Sequence, residues 1–178
     1  MIILRNGNVT LRRLERKDSE LLAKWLSDPA VLEFYEGRDN AFDLEKVCSV
    51  FFENKAQQER CIVEEDGAAI GYLQYYELDE ETKKLYGLSG ENIYGMDQFI
   101  GEPSYWGRGI GTELIASMVS YLREKEGAKS IVMDPRTENL RAIRCYEKCG
   151  FQKVKLLPKQ ELHEGELRDC WLMEHCVL

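Results

Sequence analysis

The sequence predicts a mixed α/β sheet within one domain that spans residues 1–178. Apolar segments typical of strands are interspersed with segments in which apolar residues recur at helical spacing. Asp66-Gly67 joins two of the strand-like segments, a pair of residues that indicates a β-hairpin. A glycine-rich stretch between a strand pattern and a helix pattern indicates a strand–turn–helix unit. This order of elements is typical of a single sheet covered by helices.

The N-terminal half predicts a strand and two helices ahead of a meander of three strands. The first helix begins at Asp18-Ser19, places Leu22 and Trp25 on its apolar face, and ends at Asp28-Pro29. Residues 79–92 are polar and charged, which predicts a loop between the last two strands. The predicted strands are 9–14, 60–65, 68–78 and 93–101, and the predicted second helix is 43–54.

The C-terminal half predicts two helices and three strands. Apolar residues recur at helical spacing from Ile110 to Leu122, and Gly127 ends that helix. A second helix, 139–149, begins at Asn139 and stops before Gly150. The predicted strands are 130–134, 151–157 and 167–176, which brings the total to about seven strands and about four helices.

Composition and charge exclude several classes of function. The formal net charge of −8 argues against nucleic acid as a partner, because binding to phosphate backbones needs a basic surface. It leaves a cationic partner open, although the charge could equally serve only solubility. No stretch approaches the ~18 apolar residues of a membrane span. The apolar run at the N-terminus is too short for a signal peptide.

The cysteines and histidines predict no metal site. No C-x-x-C pair occurs among the six cysteines, and His163 and His175 are the only histidines, so a zinc site is not expected. The cysteines lie among apolar positions, where a free cysteine packs as a small hydrophobic side chain. We therefore expect a reduced, cytoplasmic protein.

Residues 105–112, with the sequence YWGRGIGT, predict a phosphate-binding turn that opens a helix. N–H groups in the first turn of a helix are unpaired and lie at the positive end of its dipole. Gly107, Gly109 and Gly111 lack Cβ atoms, so a ligand can approach the backbone, and Arg108 adds a cation. The alternative is an ordinary turn ahead of an amphipathic helix. Neither the nucleoside-triphosphate loop nor the dinucleotide fingerprint occurs.

Two motifs resemble signatures of the GNAT superfamily of acetyltransferases. The acetyl-CoA loop of that family reads Q/R-x-x-G-x-G/A, and residues 106–111 match it at Gly109 and Gly111, with Trp106 where Gln or Arg is usual. The second signature, N-x-x-A-x-x-x-Y-x-x-x-G-F, is present in full at Asn139, Ala142, Tyr146, Gly150 and Phe151.

Longer matches resemble the aminoglycoside 6'-N-acetyltransferases, including the acetyltransferase half of the bifunctional acetyltransferase–phosphotransferase resistance enzymes. They lie at 25–26, 31–35, 94–101, 134–135, 139–148 and 161–165, over nearly the whole chain. The resemblance implies a GNAT-like fold, with a mixed and mostly antiparallel sheet of about seven strands flanked by about four helices. It also implies transfer of acetyl from acetyl-CoA to the 6'-amine of an aminoglycoside by direct attack, and hence antibiotic resistance.

The resemblance also implies which residues hold acetyl-CoA. Asn139 and backbone groups of Phe99 and Ile100 would contact the pantetheine arm, and the glycine-rich stretch would bind the pyrophosphate. No metal is implied. The implied coenzyme-binding set is Phe99, Ile100, Trp106, Gly107, Arg108, Gly109, Ile110, Gly111, Thr112, Asn139, Ala142 and Tyr146.

Asp97 and Tyr146 are the candidate catalytic residues. Asp97 lies in an otherwise apolar strand pattern, where a charge is costly unless it is paired. We expect Asp97 to bind the reacting ammonium and to accept its proton, as the resemblance also implies; bonds to nearby backbone N–H groups are the alternative. Tyr146 could donate a proton to the departing thiolate or hydrogen-bond its sulfur, or could simply pack in the core.

Acidic and aromatic side chains form the candidate acceptor site. Asp134 ends a predicted buried strand and is interpreted as a second carboxylate for a polyamine, or as a turn residue before Pro135. The aromatic residues could face sugar rings or lie in the core, and the other acids could bind ammonium groups or be solvated. The candidate acceptor-binding residues are Trp25, Tyr35, Tyr76, Asp97, Asp134, Glu161 and Glu164.

Two other functions stay open at this point. The same fold could acetylate a protein N-terminus or another peptide, which requires an open groove rather than a polyanionic pocket. A non-catalytic acyl-CoA-binding sensor would keep the glycine-rich stretch and would have no need for Asp97. For the leading hypothesis, the expected partner is a small cationic aminoglycoside, with no nucleic acid or membrane partner. We expect a monomer or a homodimer.

Overall fold

The structure is a computed structural model that describes residues 1–176. Its strands are β1 (Ile2–Asn6), β2 (Val9–Arg13), β3 (Glu59–Glu65), β4 (Ala68–Glu77), β5 (Ile93–Ile100), β6 (Ser130–Met133), β7 (Gln152–His163) and β8 (Glu166–Cys176). Its α-helices are α1 (Ser19–Trp25), α2 (Pro29–Leu32), α3 (Leu44–Val47), α4 (Glu80–Tyr86), α5 (Ile110–Lys125) and α6 (Leu140–Lys148).

The strands form one sheet in the order β1-β2-β3-β4-β5-β6-β8-β7. Strands β1 and β2, β2 and β3, and β6 and β8 pair antiparallel, whereas β5 and β6 pair parallel. The predicted mixed α/β class is therefore confirmed. Eight strands and six α-helices within residues 1–176 replace the predicted seven and four.

The chain divides into two compact units. The first comprises residues 1–74, 98–108 and 163–165, and the second comprises 75–97, 109–162 and the described residues from Glu166 onward. That residues 1–178 form a single domain stays a prediction, and the last two of them lie outside the described residues.

The first unit has an aromatic core. Trp25 and Tyr72 each pack a ring against Phe99, at centroid distances of 6.1 and 5.6 Å. Tyr72 also packs edge-on against Phe51. Rings of this size bury much apolar surface, and contacts of this geometry add to the stability gained by burial. The buried residues of this cluster are Leu22, Trp25, Leu26, Val31, Phe42, Val47, Phe51, Ile62, Tyr72 and Phe99.

Two helices of the first unit, α2 and α3, begin at aspartate caps. The Asp28 side chain accepts a hydrogen bond from the N–H of Ala30, and Pro29 occupies the first position of α2. Asp43 caps α3 in the same way, and the chain then continues as a π-helical turn over Cys48–Glu53. Asp28-Pro29, predicted only to end the first helix, therefore also opens the next one.

The predicted loop at residues 79–92 is wrong, because it contains α4. The Asp79 side chain accepts a hydrogen bond of 2.7 Å from the N–H of Thr82, and Gly87 adopts a left-handed conformation just after the last turn. These are the start and stop features of a helix. The helix is short and mostly solvated, so it lacks the apolar periodicity by which longer helices are predicted.

Two strands also differ from the prediction, one in its presence and one in its length. Strand β1 was not predicted, because it is a short edge strand whose residues are exposed or only partly buried. Strand β7 runs beyond the predicted residue 157 and through Pro158 to His163. Proline is tolerated in β7 because β7 lies at the other edge of the sheet.

Gly101 lies directly against the core of the first unit. A Cβ atom at this position would lie 2.3 Å from Cγ and Cδ2 of Trp25, whose ring is fully buried. We predict that Gly101→Ala lowers the free energy of unfolding by about 3 kcal/mol, because the indole has no space into which to move. Urea denaturation with linear extrapolation measures this change.

Gly111→Ala is the matched control for Gly101→Ala. Its nearest neighbour would be Cys145 Sγ at 3.7 Å, an ordinary contact, and its position within α5 favours alanine. We expect the control to be as stable as the wild type or slightly more stable. Equal stability of the two variants would contradict the proposed steric cause.

The second unit has an aliphatic core beside its tyrosines. The α5 face predicted from apolar spacing is buried, from Ile110 to Leu122. Helix α6 begins at Asn139, whose side chain accepts a hydrogen bond from the N–H of Ala142. A second buried cluster, against which Tyr76, Tyr86 and Leu88 pack, comprises Leu78, Ile93, Val132, Leu157, Cys170 and Leu172.

Candidate acetyl-transfer site

The glycine-rich stretch ends at the N-terminus of the sixteen-residue helix α5. Gly109 occupies the N-cap position with φ +80°, and Gly107 has φ +71°. Residues other than glycine are strained in this left-handed region, because they carry a Cβ atom. Because Gly109 brings no side chain to cap the helix, the N–H groups of the first turn are available to an anion.

Trp106, at the position where Gln or Arg is usual, makes contacts that hold the local backbone together. Its Nε1–H donates a hydrogen bond of 2.9 Å to the backbone carbonyl of Ile100, at the end of β5. Its ring packs edge-on against Phe34, with centroids 6.0 Å apart. The indole therefore ties the start of the glycine-rich stretch to the end of β5.

Arg108 is also held in place within the first unit. Its guanidinium lies 3.2 Å from a carboxylate oxygen of Glu65 and 4.8 Å from the ring centroid of Tyr105. The side chain is still about half exposed, at 51%. A cation with this mixture of contact and exposure is suited to binding an anion from solvent.

The two sequence motifs meet at the first turn of α5. The Thr112 hydroxyl lies 3.6 Å from Cys145 Sγ, and the Cys149 thiol donates to the backbone carbonyl of Thr112 at 3.4 Å. Tyr146, on the same helix as these cysteines, is 9% exposed and packs its ring against Phe151. The structure therefore brings Thr112, at the end of the glycine-rich stretch, next to the helix of the second motif.

Two carboxylates of the second unit are each hydrogen-bonded by a tyrosine. The Tyr76 hydroxyl donates to Asp97 Oδ2 at 3.2 Å, and the Tyr86 hydroxyl donates to Asp134 Oδ2 at 2.8 Å. The tyrosines come from β4 and α4, whereas the aspartates come from β5 and the end of β6. Four elements thus build one acidic site, which we call the acidic pair after Asp97 and Asp134.

Strand register explains why the two aspartates lie together. Gly95 of β5 is paired with Val132 of the parallel strand β6. Asp97 and Asp134 each follow two residues later, Asp97 within β5 and Asp134 directly after β6, so the register places them on the same face of the sheet. A Cβ on Gly95 would lie 2.8 Å from Cε2 of Tyr76, so the glycine makes room for the ring that reaches Asp97.

The acidic pair is electrostatically strained. Burial and, to a smaller extent, the Asp97 carboxylate raise the pKa of Asp134 to about 7, although the hydrogen bond from Tyr86 acts in the opposite direction. Burial and the two carboxylates raise the pKa of both tyrosine hydroxyls, so both remain protonated donors at neutral pH. Two neighbouring carboxylates favour a cationic partner, which would stabilise both in the ionised form.

Known proteins resemble the chain over most of its length. The model of the acetyltransferase (GNAT) domain family matches residues 15–158. The chain belongs to the GNAT acetyltransferase family. The predicted family, and with it the prediction of an acetyltransferase enzyme, is thereby confirmed.

A curated relative and two solved structures give further detail. An aminoglycoside N(6')-acetyltransferase type 1 from Klebsiella pneumoniae is 32% identical over 159 residues, covering 83% of this chain and 76% of the relative. The structure of aminoglycoside acetyltransferase AAC(6')-Ib with coenzyme A and kanamycin matches at a TM-score of 0.75 and 27% identity, over 94% of each chain. AAC(6')-Ib with acetyl-CoA and paromomycin matches at a TM-score of 0.76 and 26% identity, over 96% of this chain and 94% of the other.

Of the two aromatic residues of the first unit that were predicted to bind the acceptor, Trp25 and Tyr35, one is excluded by its burial. Trp25 is fully buried, and its Nε1–H donates to Glu102 at 2.8 Å. A ring without exposed surface has no face to offer a sugar, so the prediction that Trp25 contacts the acceptor is wrong. Tyr35 is partly exposed and packs against Phe99 at 4.6 Å. It stays a candidate.

Glu164 and Glu161 each already contact an arginine. Arg38 donates to Glu164 at 2.5 and 2.8 Å through its side chain and lowers the pKa of that carboxyl to about 2. Glu164 is thus neutralised within the first unit, and we leave it out of the proposed acceptor site. Glu161 accepts a longer bond of 3.4 Å from Arg136 and raises the pKa of Asp134, so it remains beside the acidic pair.

Tyr86 and Gly95 are parts of the site that the sequence did not reveal as such. Tyr86 lies in the segment interpreted as a loop, although Asp79 and Gly87 carry the cap signals of its helix. Gly95 lies inside a strand pattern, where glycine often marks a close approach of another group.

Within residues 1–176, no group of three His, Cys, Asp or Glu side chains is placed to hold a metal ion. No helix in that part of the chain is long and apolar enough to cross a membrane.

Proposed function

We propose that this chain transfers the acetyl group of acetyl-CoA to the 6'-amine of an aminoglycoside antibiotic and thereby inactivates it. The acidic pair carries the proposal, because two partly buried carboxylates from neighbouring strands suit an acceptor with several ammonium groups. The related structures with coenzyme A and kanamycin, and with acetyl-CoA and paromomycin, support the same kinds of acceptor and donor.

The proposed reaction needs no covalent enzyme intermediate. Asp97 holds the reacting ammonium and accepts its proton, directly or through water, which frees the nitrogen lone pair. The amine attacks the thioester carbonyl, the new C–N bond forms, and the C–S bond then breaks. The thiolate leaves and takes a proton from the Tyr146 hydroxyl or from solvent. The second proton lost by the nitrogen, after the C–N bond has formed, goes to the resulting tyrosinate or to solvent. Asp134 meanwhile holds a second ammonium and so orients the acceptor.

The donor site is proposed at the start of α5. The uncapped first turn would receive the pyrophosphate, with Arg108 as an exposed cation close by in sequence. Backbone groups of Phe99 and Ile100 and the side chain of Asn139 would meet the pantetheine arm. Asn139 Oδ1 already accepts from the N–H of Ala142, so its amide nitrogen is the group to offer.

A paired assay tests the proposed function. Purified protein is incubated with acetyl-CoA and either kanamycin or a peptide with a free N-terminus, while release of the CoA thiol is followed. We expect turnover with kanamycin, and NMR of the product should show acetyl on the 6'-nitrogen. Turnover with the peptide alone would replace the proposal with peptide acetylation. Binding of CoA without turnover of either acceptor would favour a sensor.

Trp106→Phe tests the contact that ties the glycine-rich stretch to β5. The variant keeps a ring against Phe34 and loses the N–H that bonds to Ile100. We predict that the KM for acetyl-CoA rises about fivefold, the value of one neutral hydrogen bond, with kcat nearly unchanged. Steady-state kinetics at saturating kanamycin measure both constants.

Trp171→Phe serves as the control for Trp106→Phe. Trp171 lies in β8, where its ring contacts the ammonium of Lys153. The Trp171→Phe variant makes the same change of side chain at a position that has no proposed part in coenzyme binding. An unchanged KM in Trp106→Phe, or the same rise in both variants, would show that the indole N–H does not serve the donor site.

A further inference from the structure

Tyr86 lies in α4, a short helix whose two ends are held by local hydrogen bonds. Asp79 caps the start of the helix, and at its end the N–H of Leu88 donates to the carbonyl of Lys83. The Lys83 ammonium donates to Glu80 and to the backbone carbonyl of Gly90, at 2.8 and 2.9 Å. These bonds tie both ends of the segment to the helix itself.

The Tyr86 side chain reaches Asp134 from this helix. Its ring packs against the second buried cluster, and its oxygen lies 2.8 Å from Asp134 Oδ2. A hydrogen bond from a protonated phenol to one carboxylate oxygen fixes the orientation of the whole group. It also favours the ionised form of the acid over the neutral form.

We propose that Tyr86 is a positioning residue for the acceptor, which orients Asp134 toward a second ammonium group and so contributes to the preference for polyamine substrates. The inference rests on the proposed function, since it assigns a further residue to the same acceptor site. Tyr86 itself acts through Asp134.

Ionisable groups from five strands and helices act on Asp134 or respond to its charge. The Asp97 and Glu161 carboxylates oppose ionisation of Asp134, whereas the Tyr86 hydroxyl favours it. Burial raises the pKa values of the Tyr76 hydroxyl and the Cys170 thiol, and the charge of Asp134 adds to both shifts. Asp97 lies on β5, Glu161 on β7 and Tyr86 on α4. Tyr76 lies on β4 and Cys170 on β8.

Tyr86→Phe is the direct test, because it removes the hydroxyl and keeps the packed ring. We expect the KM for kanamycin to rise about tenfold at pH 7 with kcat changed less than twofold. We also expect the acidic limb of kcat/KM to move about one pH unit upward, since Asp134 loses the donor that lowers its pKa. A monoamine, methyl 6-amino-6-deoxyglucoside, should show no comparable rise in KM.

Tyr121→Phe is the matched control. It also removes a phenol that donates to a carboxylate in the second unit, in this case Glu126 at 3.1 Å. This variant should keep the wild-type KM and pH profile. A purely structural role for tyrosine hydroxyls would affect the two variants alike and would leave the pH profile in place.

The pKa of the Asp134 carboxyl, measured by carbon-13 NMR titration, separates failure of this inference from failure of the proposed function. If the wild type acetylates kanamycin but Tyr86→Phe has the same pKa and the same KM, the inference is overturned and the function stands. If the wild type does not acetylate kanamycin, the proposed function is overturned. In that case a pKa shift in Tyr86→Phe would still show that Tyr86 controls Asp134, but its role toward an aminoglycoside would be overturned as well.

Discussion

Asp97→Asn is expected to lower kcat for kanamycin by about 10³-fold, the usual worth of a positioned general base. The amide keeps the shape of the side chain and can still accept the hydrogen bond from Tyr76. It cannot accept the proton of the reacting ammonium, and it offers no charge to hold that group. The loss should therefore appear in kcat and in the KM for the acceptor.

Coenzyme binding should survive in Asp97→Asn, because the start of α5 is built without Asp97. Isothermal titration with CoA measures this, alongside steady-state kinetics. The matched control is Asp66→Asn, which makes the same change of charge at an exposed hairpin position with φ +49° that asparagine tolerates. If the kcat of Asp97→Asn stays within threefold of the wild-type value, Asp97 is not the base.

The motifs were predictable from sequence because each one is local. The phosphate-binding turn needs only glycines ahead of a helix pattern, and Gly109 at the N-cap of α5 agrees with it. Asn139 was predicted to begin a helix and does cap α6. Both predictions rest on chemistry within one turn of the chain. The family resemblance carried the identity of the ligand beyond what these local features can indicate.

The acidic pair could be predicted only one residue at a time. Asp97 and Asp134 were each chosen as candidates, but their adjacency depends on the parallel register of Gly95 with Val132. That pairing joins positions 95 and 132, which are 37 residues apart in sequence. No local pattern in the sequence determines this register. Tyr86 was missed for a related reason, since its helix is too short and polar for periodicity to reveal it.

Predictions for the first unit failed where a partner lies far along the chain. Glu164 was a candidate for binding substrate ammonium, yet its cation is Arg38, which is 126 positions earlier in the sequence. Trp25 was assigned both to the apolar face of a helix and to a sugar contact. The structure places it fully in the core, where Gly101 leaves space for its ring. Burial of an aromatic residue is the commoner outcome.

Asp134→Asn is expected to act in opposite directions on stability and on function. The folded-state pKa of Asp134 is raised to about 7, above the value of about 3.9 for an unfolded aspartate. Between these values the folded state binds more protons than the unfolded state. The free energy of unfolding of the wild type should therefore fall as the pH rises from about 4 to about 7, and should stay low above 7.

The asparagine variant removes this charge and its cost. One pKa unit corresponds to about 1.4 kcal/mol, and relaxation of the site reduces the full shift, so we expect a gain of about 2 kcal/mol at pH 8. No gain is expected at pH 4, where the wild-type carboxyl is already neutral. Urea denaturation at both pH values measures this, and Asp66→Asn, an exposed carboxylate outside the site, should show no such pH-dependent gain.

Acceptor binding should change in the other direction in Asp134→Asn. A hydrogen bond between an ammonium and a partly buried carboxylate is worth about 2 kcal/mol, so its loss should raise the KM for kanamycin about 30-fold. A variant that is more stable without substrate but binds the acceptor less well would show that the acidic pair is strained until a polyamine neutralises it. If the variant is no more stable than the wild type at pH 8, or binds kanamycin as well, Asp134 is a turn residue and the pair is not the acceptor site.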